Sequence, residues 1–147
     1  MAESTRVLVA EDDALTRLIL QTYLSSWDYE VVIATNGQQA LNILQEENRP
    51  VIALLDWMMP VMDGVVVCRR LPAWDEDRPY IIMVTSRNQT SDLVEALNAG
   101  ADDFITKPVE PSELRARLLV GIRSAKIKQD LLSRVRQLEA ERQQSNP

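Results

Sequence analysis

Histidine is missing from all 147 residues of the chain, and that absence removes several chemistries at once. Ser-His-Asp and Cys-His catalysis, a histidine zinc site and a histidine phosphodonor all need a side chain that is not there. A single cysteine, Cys68, leaves no internal disulfide. In its helix-like stretch it reads as a small buried apolar residue rather than a reactive thiol. No apolar run approaches the ~18 residues that cross a bilayer. Met1 to Arg6 are polar and lack the apolar segment of a secretion signal. Together these features imply a cytoplasmic chain without a membrane partner.

What is present is enough to fold. Hydrophobic residues make up 46% of the sequence, which supports one ordinary core and a short extension. The formal charge of −6 argues against nucleic acid as a partner of the domain body. Ser124 to Pro147 carries five basic and three acidic residues, so the remainder holds −8.

Two kinds of segment alternate along the chain. Val7–Ala10, Val31–Ala34, Val51–Leu55, Tyr80–Val84 and Phe104–Thr106 are short β-branched or apolar runs. The first, third and fourth are nearly continuous in apolar residues, as strands covered on both faces are. Between them lie sets at helical spacing: Leu15, Leu18, Ile19 and Thr22; Ala40, Ile43 and Leu44; Leu93, Ala96 and Leu97. Asn36 with Gln39 has the form of a capping box. Gly100 stands where a left-handed helix cap is wanted, and Pro111 suits a first helical turn. Five such units specify an α/β fold, a parallel sheet with helices on both faces. From Pro111 onward only Gly121 interrupts helix-forming sequence until about Arg142. Leu118, Ile122 and Ala125 are out of phase with Leu131, Val135 and Leu138, so no clean heptad seam runs through this helix. It reads as a helix projecting beyond the domain, with a tail folded back on the body as the alternative.

The carboxyl ends of parallel strands form one rim, where ligands bind at the switch in strand order. Glu11-Asp12-Asp13, Asp56, Thr85-Ser86 and Lys107-Pro108 all fall at such ends. Taken singly, Asp13 is a helix cap, Asp56 a turn residue, Thr85 a strand end and Lys107 a surface charge. Their joint placement points to a site. Two carboxylates ~4 Å apart repel by roughly 4 kcal/mol at an effective dielectric near 20, so Glu11, Asp12 and Asp56 together call for a cation. An all-oxygen donor set selects a hard ion such as magnesium. That ion would neutralise a phosphoryl group brought to Asp56, with Lys107 and Thr85 contacting its oxygens.

Val9-Ala10-Glu11-Asp12-Asp13, Leu55 to Gly64, Val84-Thr85-Ser86, Ala99 to Phe104 and Thr106-Lys107-Pro108 together closely resemble the two-component response-regulator receiver family. The resemblance implies a CheY-like, doubly wound five-stranded sheet of order 2-1-3-4-5. It implies a receiver over residues 5–123 followed by a helical extension or linker over 124–147. It also implies roles: Asp56 as phosphoryl acceptor, Asp12 and Asp56 as direct magnesium ligands, Glu11 chiefly through water, and the Met58 carbonyl as a further ligand. Thr85 and Phe104 would be a switch pair that alters the face made by the fourth and fifth helices. The Lys107–Pro108 peptide is expected to be cis, and Met58 and Arg87 occupy positions that tune phosphoryl lifetime. Such a protein is a signalling receiver, not an enzyme acting on other substrates. Its partners would be a histidine kinase or histidine phosphotransfer protein and an output domain or downstream protein. A second copy of the chain is a further candidate, through the fourth and fifth helices or the tail.

Two rivals remain. A haloacid-dehalogenase-like phosphatase needs an acid two positions after the nucleophile, where this chain has Met58. A phosphorylation-independent receiver would not need the full set Glu11, Asp12, Asp56, Thr85 and Lys107. The segment Arg115 to Arg142 is similar to linkers that precede diguanylate cyclases with the GGDEF motif and PP2C-type phosphatases.

Overall fold

The computed structural model describes residues 4–145. Ten elements alternate: β1 (Arg6–Ala10), α1 (Ala14–Ser26), β2 (Glu30–Ala34), α2 (Gly37–Leu44), β3 (Ile52–Asp56), α3 (Gly64–Arg70), β4 (Tyr80–Thr85), α4 (Thr90–Ala99), β5 (Asp103–Thr106) and α5 (Pro111–Ser145). The strands form one parallel sheet in the order β2-β1-β3-β4-β5, as the sequence implies. Because side chains alternate along a strand, each strand feeds two cores. Val7 and Val9 pack with Leu20 and Leu24 of α1 and Leu114 and Leu118 of α5. Leu8 and Ala10 face the other way, toward Ala40 and Leu44 of α2, Val67 of α3 and Ala96 of α4. Both clusters are buried, which is why Val7–Ala10 of β1, Ile52–Leu55 of β3 and Ile81–Val84 of β4 are apolar without interruption.

Helix boundaries follow local chemistry. Asp13 caps α1 by accepting the Thr16 N–H at 2.9 Å, and Asp63 caps α3 by accepting from Val66 N–H at 2.9 Å. Gly100 ends α4 at φ 115, a left-handed conformation that residues with a Cβ avoid. Asn36 caps α2 as expected, but Gln39 does not complete a box with it. Its Oε1 accepts instead from the Thr35 N–H at 2.8 Å, one residue earlier.

One inferred helix face is corrected. Leu15, Leu18 and Ile19 share a side of α1, yet they are exposed, and the sheet is met by Leu20 and Leu24 with Tyr23 and Trp27 half-buried beside them. The segment carries two overlapping apolar stripes, and the one set by the Asp13 cap and the approach to the sheet is the later one. In α4, similarly, Ala96 is buried while Leu93 and Leu97 are exposed.

The last helix is unbroken from Pro111 to Ser145, 35 residues, or ~52 Å at 1.5 Å per residue. Leu114, Leu118 and Gly121 are buried, and beyond Ala125 only Leu132 is half-buried while the remaining described residues are exposed. The phase break seen in the sequence thus has a cause: Leu118 and Ile122 face the sheet, whereas Leu131, Val135 and Leu138 belong to a part of the helix that has left it. The extension touches the body sideways, through Lys128 Nζ to the Arg78 carbonyl at 3.4 Å and an Arg136–Glu76 ion pair at 2.7 Å. Among the described residues, no helix is long and apolar enough to cross a membrane.

Candidate functional site

Strand register assembles the site. Ala10 lies opposite Leu55 in the β1–β3 pairing, so the next residues, Glu11 and Asp56, emerge side by side. Asp56 lies opposite Val84, which puts Thr85 one step further along the same rim. Thr85 pairs with Thr106, so Lys107 follows at the end of the neighbouring strand. The order β2-β1-β3 makes β1 and β3 the pair from which connections leave in opposite directions, opening a crevice at their carboxyl ends.

The side chains meet there. Ligand oxygens of Glu11, Asp12 and Asp56 lie within 4.8 Å of one another. Lys107 Nζ stands 3.1 Å from Glu11 Oε2 and 3.4 Å from Asp56 Oδ1. Glu11 and Asp56 are buried, and Asp12 is exposed at the mouth. Thr85 is 1% exposed, its Oγ1 accepting from the Arg87 N–H at 3.1 Å. Phe104 is half-buried in β5 against the core that includes Met83 and Ala101. Met58 lies two residues after Asp56 in the loop after β3, with its side chain exposed. The Lys107–Pro108 peptide is cis.

Three carboxylates face one ammonium, and the electrostatics show the imbalance. Burial, reinforced by the charge of Asp56, pushes the Glu11 carboxyl up to about 7 from an ordinary 4.5. Burial also raises Asp56, against the opposing pull of Lys107. Burial lowers the Lys107 pKa, but the hydrogen bond to Glu11 and the charges of Asp56 and Glu11 outweigh it and raise the net value. This is an oxygen-only cluster with more negative charge than its own lysine offsets, which fits a hard divalent cation.

The surrounding backbone holds the loop after Asp56 tightly. The Gly64 N–H donates to the Trp57 carbonyl at 2.9 Å, and a Cβ on Gly64 would lie 2.5 Å from the Asp56 carbonyl oxygen. Two arginines support the site, and of these the sequence marked only Arg87. Arg17 donates from Nη1 to the Glu11 carbonyl at 2.9 Å and steadies the turn that carries the acids. Its position four residues after the Asp13 cap is the sole signal for it. Arg87 lies over the buried Trp57 ring, its guanidinium carbon 4.7 Å from the centroid, and reaches Asp92 of α4 at 3.5 Å. Its proximity to Thr85 was legible in the sequence, but the stacking was not.

Comparison with known proteins agrees with this fold. Residues 7–119 match the family model described as response regulator receiver domain. A probable transcriptional regulator, ycf27, of Guillardia theta is 42% identical over 118 residues, which is 80% of this chain and 45% of that protein. Response regulator MprA of Mycobacterium ulcerans is 40% identical over 127 residues, 86% of this chain and 54% of its own. The chain therefore spans about half the length of these relatives. Among solved structures, the signal receiver domain of a histidine kinase from Syntrophus aciditrophicus superposes with a TM-score of 0.75 at 31% identity, covering 84% of this chain and 93% of that one. The receiver domain of a sensor histidine kinase from Pseudomonas aeruginosa gives 0.74 at 29%, covering 82% and 98%. That structure is described with a magnesium ion coordinated in its active-site cleft.

Proposed function

Since the chain belongs to the response regulator receiver family, we propose that Asp56 accepts a phosphoryl group from a histidine kinase or histidine phosphotransfer protein and that the resulting charge resets the outer face of the domain. The observation that carries this reading is the convergence of Glu11, Asp12 and Asp56, with oxygens within 4.8 Å of one another, and of Lys107 against Glu11 and Asp56, although Lys107 lies 96 positions after Glu11.

Asp56 is the nucleophile. One carboxylate oxygen forms the bond to phosphorus as the donor's phosphorus–nitrogen bond breaks, and the product is an acyl phosphate. Lys107, already 3.4 Å from Asp56, pairs with a phosphoryl oxygen. The Thr85 hydroxyl accepts from Arg87 in this structure, so its own proton is free for a second oxygen. Asp12, Asp56, the Met58 carbonyl and Glu11, the last chiefly through water, would hold magnesium. When bound, that ion supplies positive charge opposite the incoming phosphoryl oxygens.

The added charge, close to two negative units, draws Thr85 and Lys107 inward. Phe104, half-buried beside β4, fills the space that Thr85 leaves. The surface of α4, β5 and α5 thereby changes shape, and the domain is a two-state element biased by the phosphoryl group. Residues 5–123 act as the receiver, and residues 124–147, the last two of which lie outside the described residues, act as a helical extension or linker toward an output domain or downstream partner. Hydrolysis of its own acyl phosphate is the remaining chemistry of such a domain.

Incubation with acetyl phosphate and magnesium tests the assignment by intact mass. One phosphoryl group per chain is expected, none in Asp56→Asn, and none after chelation of the metal. Stoichiometric labelling of Asp56→Asn, or no labelling of the unaltered chain, would refute it.

A further inference from the structure

The three acids of the site are not held equally. Glu11 is gripped by Lys107 at 3.1 Å and accepts from the Asp13 N–H at 3.3 Å. Asp56 is paired with Lys107 at 3.4 Å. The Asp12 carboxylate is exposed, and among the described residues no hydrogen bond or ion pair fixes it. Its oxygen nevertheless lies within 4.8 Å of those of Glu11 and Asp56. What places it there is the backbone of the turn between β1 and α1.

That turn is pinned at three points. The Glu11 N–H donates to the Ala34 carbonyl at 3.1 Å, and the Asp13 carbonyl accepts from the Arg17 N–H at 2.9 Å. Between them, one guanidinium nitrogen of Arg17, Nη1, stands 2.9 Å from the Glu11 carbonyl oxygen and 3.4 Å from that of Asp12. Helix stability does not account for Arg17. It is the fourth residue of α1, where a positive charge faces the positive end of the helix dipole. The polar contacts of its guanidinium among the described residues are those two carbonyls.

We propose that Arg17 is a positioning residue for the metal: by gripping the Glu11 and Asp12 carbonyls it sets the Asp12 carboxylate toward Asp56 before a divalent cation arrives. The inference rests on the magnesium-dependent reading of the site. Charge and geometry predict opposite signs for the loss of Arg17. As a fixed cation beside the acids, it would repel a divalent ion, and its removal would tighten binding. As a clamp, it spares the turn an ordering cost on binding, and its removal would weaken binding. The structure decides for the clamp, because the guanidinium is turned to the carbonyls while Lys107 is the cation paired with the carboxylates. Residues that orient metal ligands from behind are worth about 10–100-fold in affinity. Arg17 acts on one exposed ligand through its backbone, which places its effect at the lower end, about 10-fold.

Calorimetric titration of the whole chain with magnesium alone, without a phosphodonor, tests the proposal. Arg17→Met should weaken binding about 10-fold, while its thermal melt in chelator shifts little. Arg17→Lys, whose single ammonium can reach one carbonyl at a time, should fall between the two. Labelling by acetyl phosphate, read by intact mass, should slow in Arg17→Met at low magnesium and return to the unaltered rate at saturating magnesium. A residue that only supports the fold, or one that touches the donor, would not be rescued by the metal. Tighter magnesium binding by Arg17→Met, or slow labelling that saturating magnesium fails to restore, would overturn the proposal. Asp12→Ala separates this from the reading beneath it. Binding lost in Asp12→Ala but unaltered in Arg17→Met overturns the role of Arg17 and leaves the metal site standing. No magnesium binding by the unaltered chain would instead refute the reading of the site itself.

Discussion

Replacing Glu11 by glutamine should flatten the pH dependence of stability of the metal-free chain between about pH 5 and 7.5. Glu11 is 1% exposed, and burial with the Asp56 charge beside it lifts its carboxyl to about 7 from 4.5. Below its ordinary value the group is protonated in both folded and unfolded chains, and its contribution to stability is complete. As pH rises toward 7 the unfolded chain releases the proton first, and folding is progressively penalised. At 1.36 kcal/mol per unit of pKa difference, the total loss is at most about 3 kcal/mol. For a chain of this length that corresponds to roughly 10 °C in melting temperature. Asp56 and Asp102, both raised by burial, slope the same way. Asp13, Asp75 and Glu110 are lowered, the first by its bonds with Thr16, the second by the Asp77 N–H and the third by Ser112. Their stabilisation is lost only as pH falls below the ordinary carboxylate range, outside this window. Thermal melts in chelator at several pH values, for the unaltered chain and Glu11→Gln, provide the comparison. Magnesium should stabilise more at pH 7.5 than at pH 5, because the carboxylates must lose their protons to ligate it. Equal slopes in the two proteins, or a metal-free chain that gains stability from pH 5 to 7.5, would refute the reasoning.

Gly64→Ala should lower stability by about 2 kcal/mol or more in urea unfolding, because the new Cβ would lie 2.5 Å from backbone oxygen of Asp56. A shift below ~0.5 kcal/mol would mean the loop after β3 yields freely. Cys68, 1% exposed and with its thiol pushed up to about 12 by burial, should resist a thiol reagent in the native state and react at once in denaturant. Rapid native labelling would contradict that burial.

Much of the architecture was legible because its signals were redundant. Continuous runs such as Ile81–Val84 can lie only between two layers, and Asp13, Asn36, Gly100 and Pro111 each mark a helix end where one is found. The site was legible for a related reason: parallel strands deliver their carboxyl ends to one rim whatever their separation in the chain, so Glu11, Asp56 and Lys107 had to meet if the order was right. What failed was the choice of face. Leu15, Leu18 and Ile19 compete with Leu20 and Leu24 at the same periodicity, and the winner depends on how α1 approaches the sheet, a tertiary fact. The stacking of Arg87 on Trp57 and the bond from Arg17 to Glu11 are contacts across turns, for which spacing along the chain carries no signal. The helical extension was legible from the absence of breakers after Gly121, but its two faces separated only once the sheet was in place.

Gly121 lies so close to the Tyr80 ring that a Cβ there would be 2.7 Å from it, and α5 is free of the sheet soon afterward. From that fulcrum to Ser145 the helix runs about 36 Å, longer than the sheet is deep. A tilt of about 5° at the fulcrum would swing the far tip by about 3 Å, close to the width of a hydrogen bond. Rotations too small to repack the core would therefore register at the tip as the making or breaking of whole contacts, and whatever α5 grips there is moved by leverage.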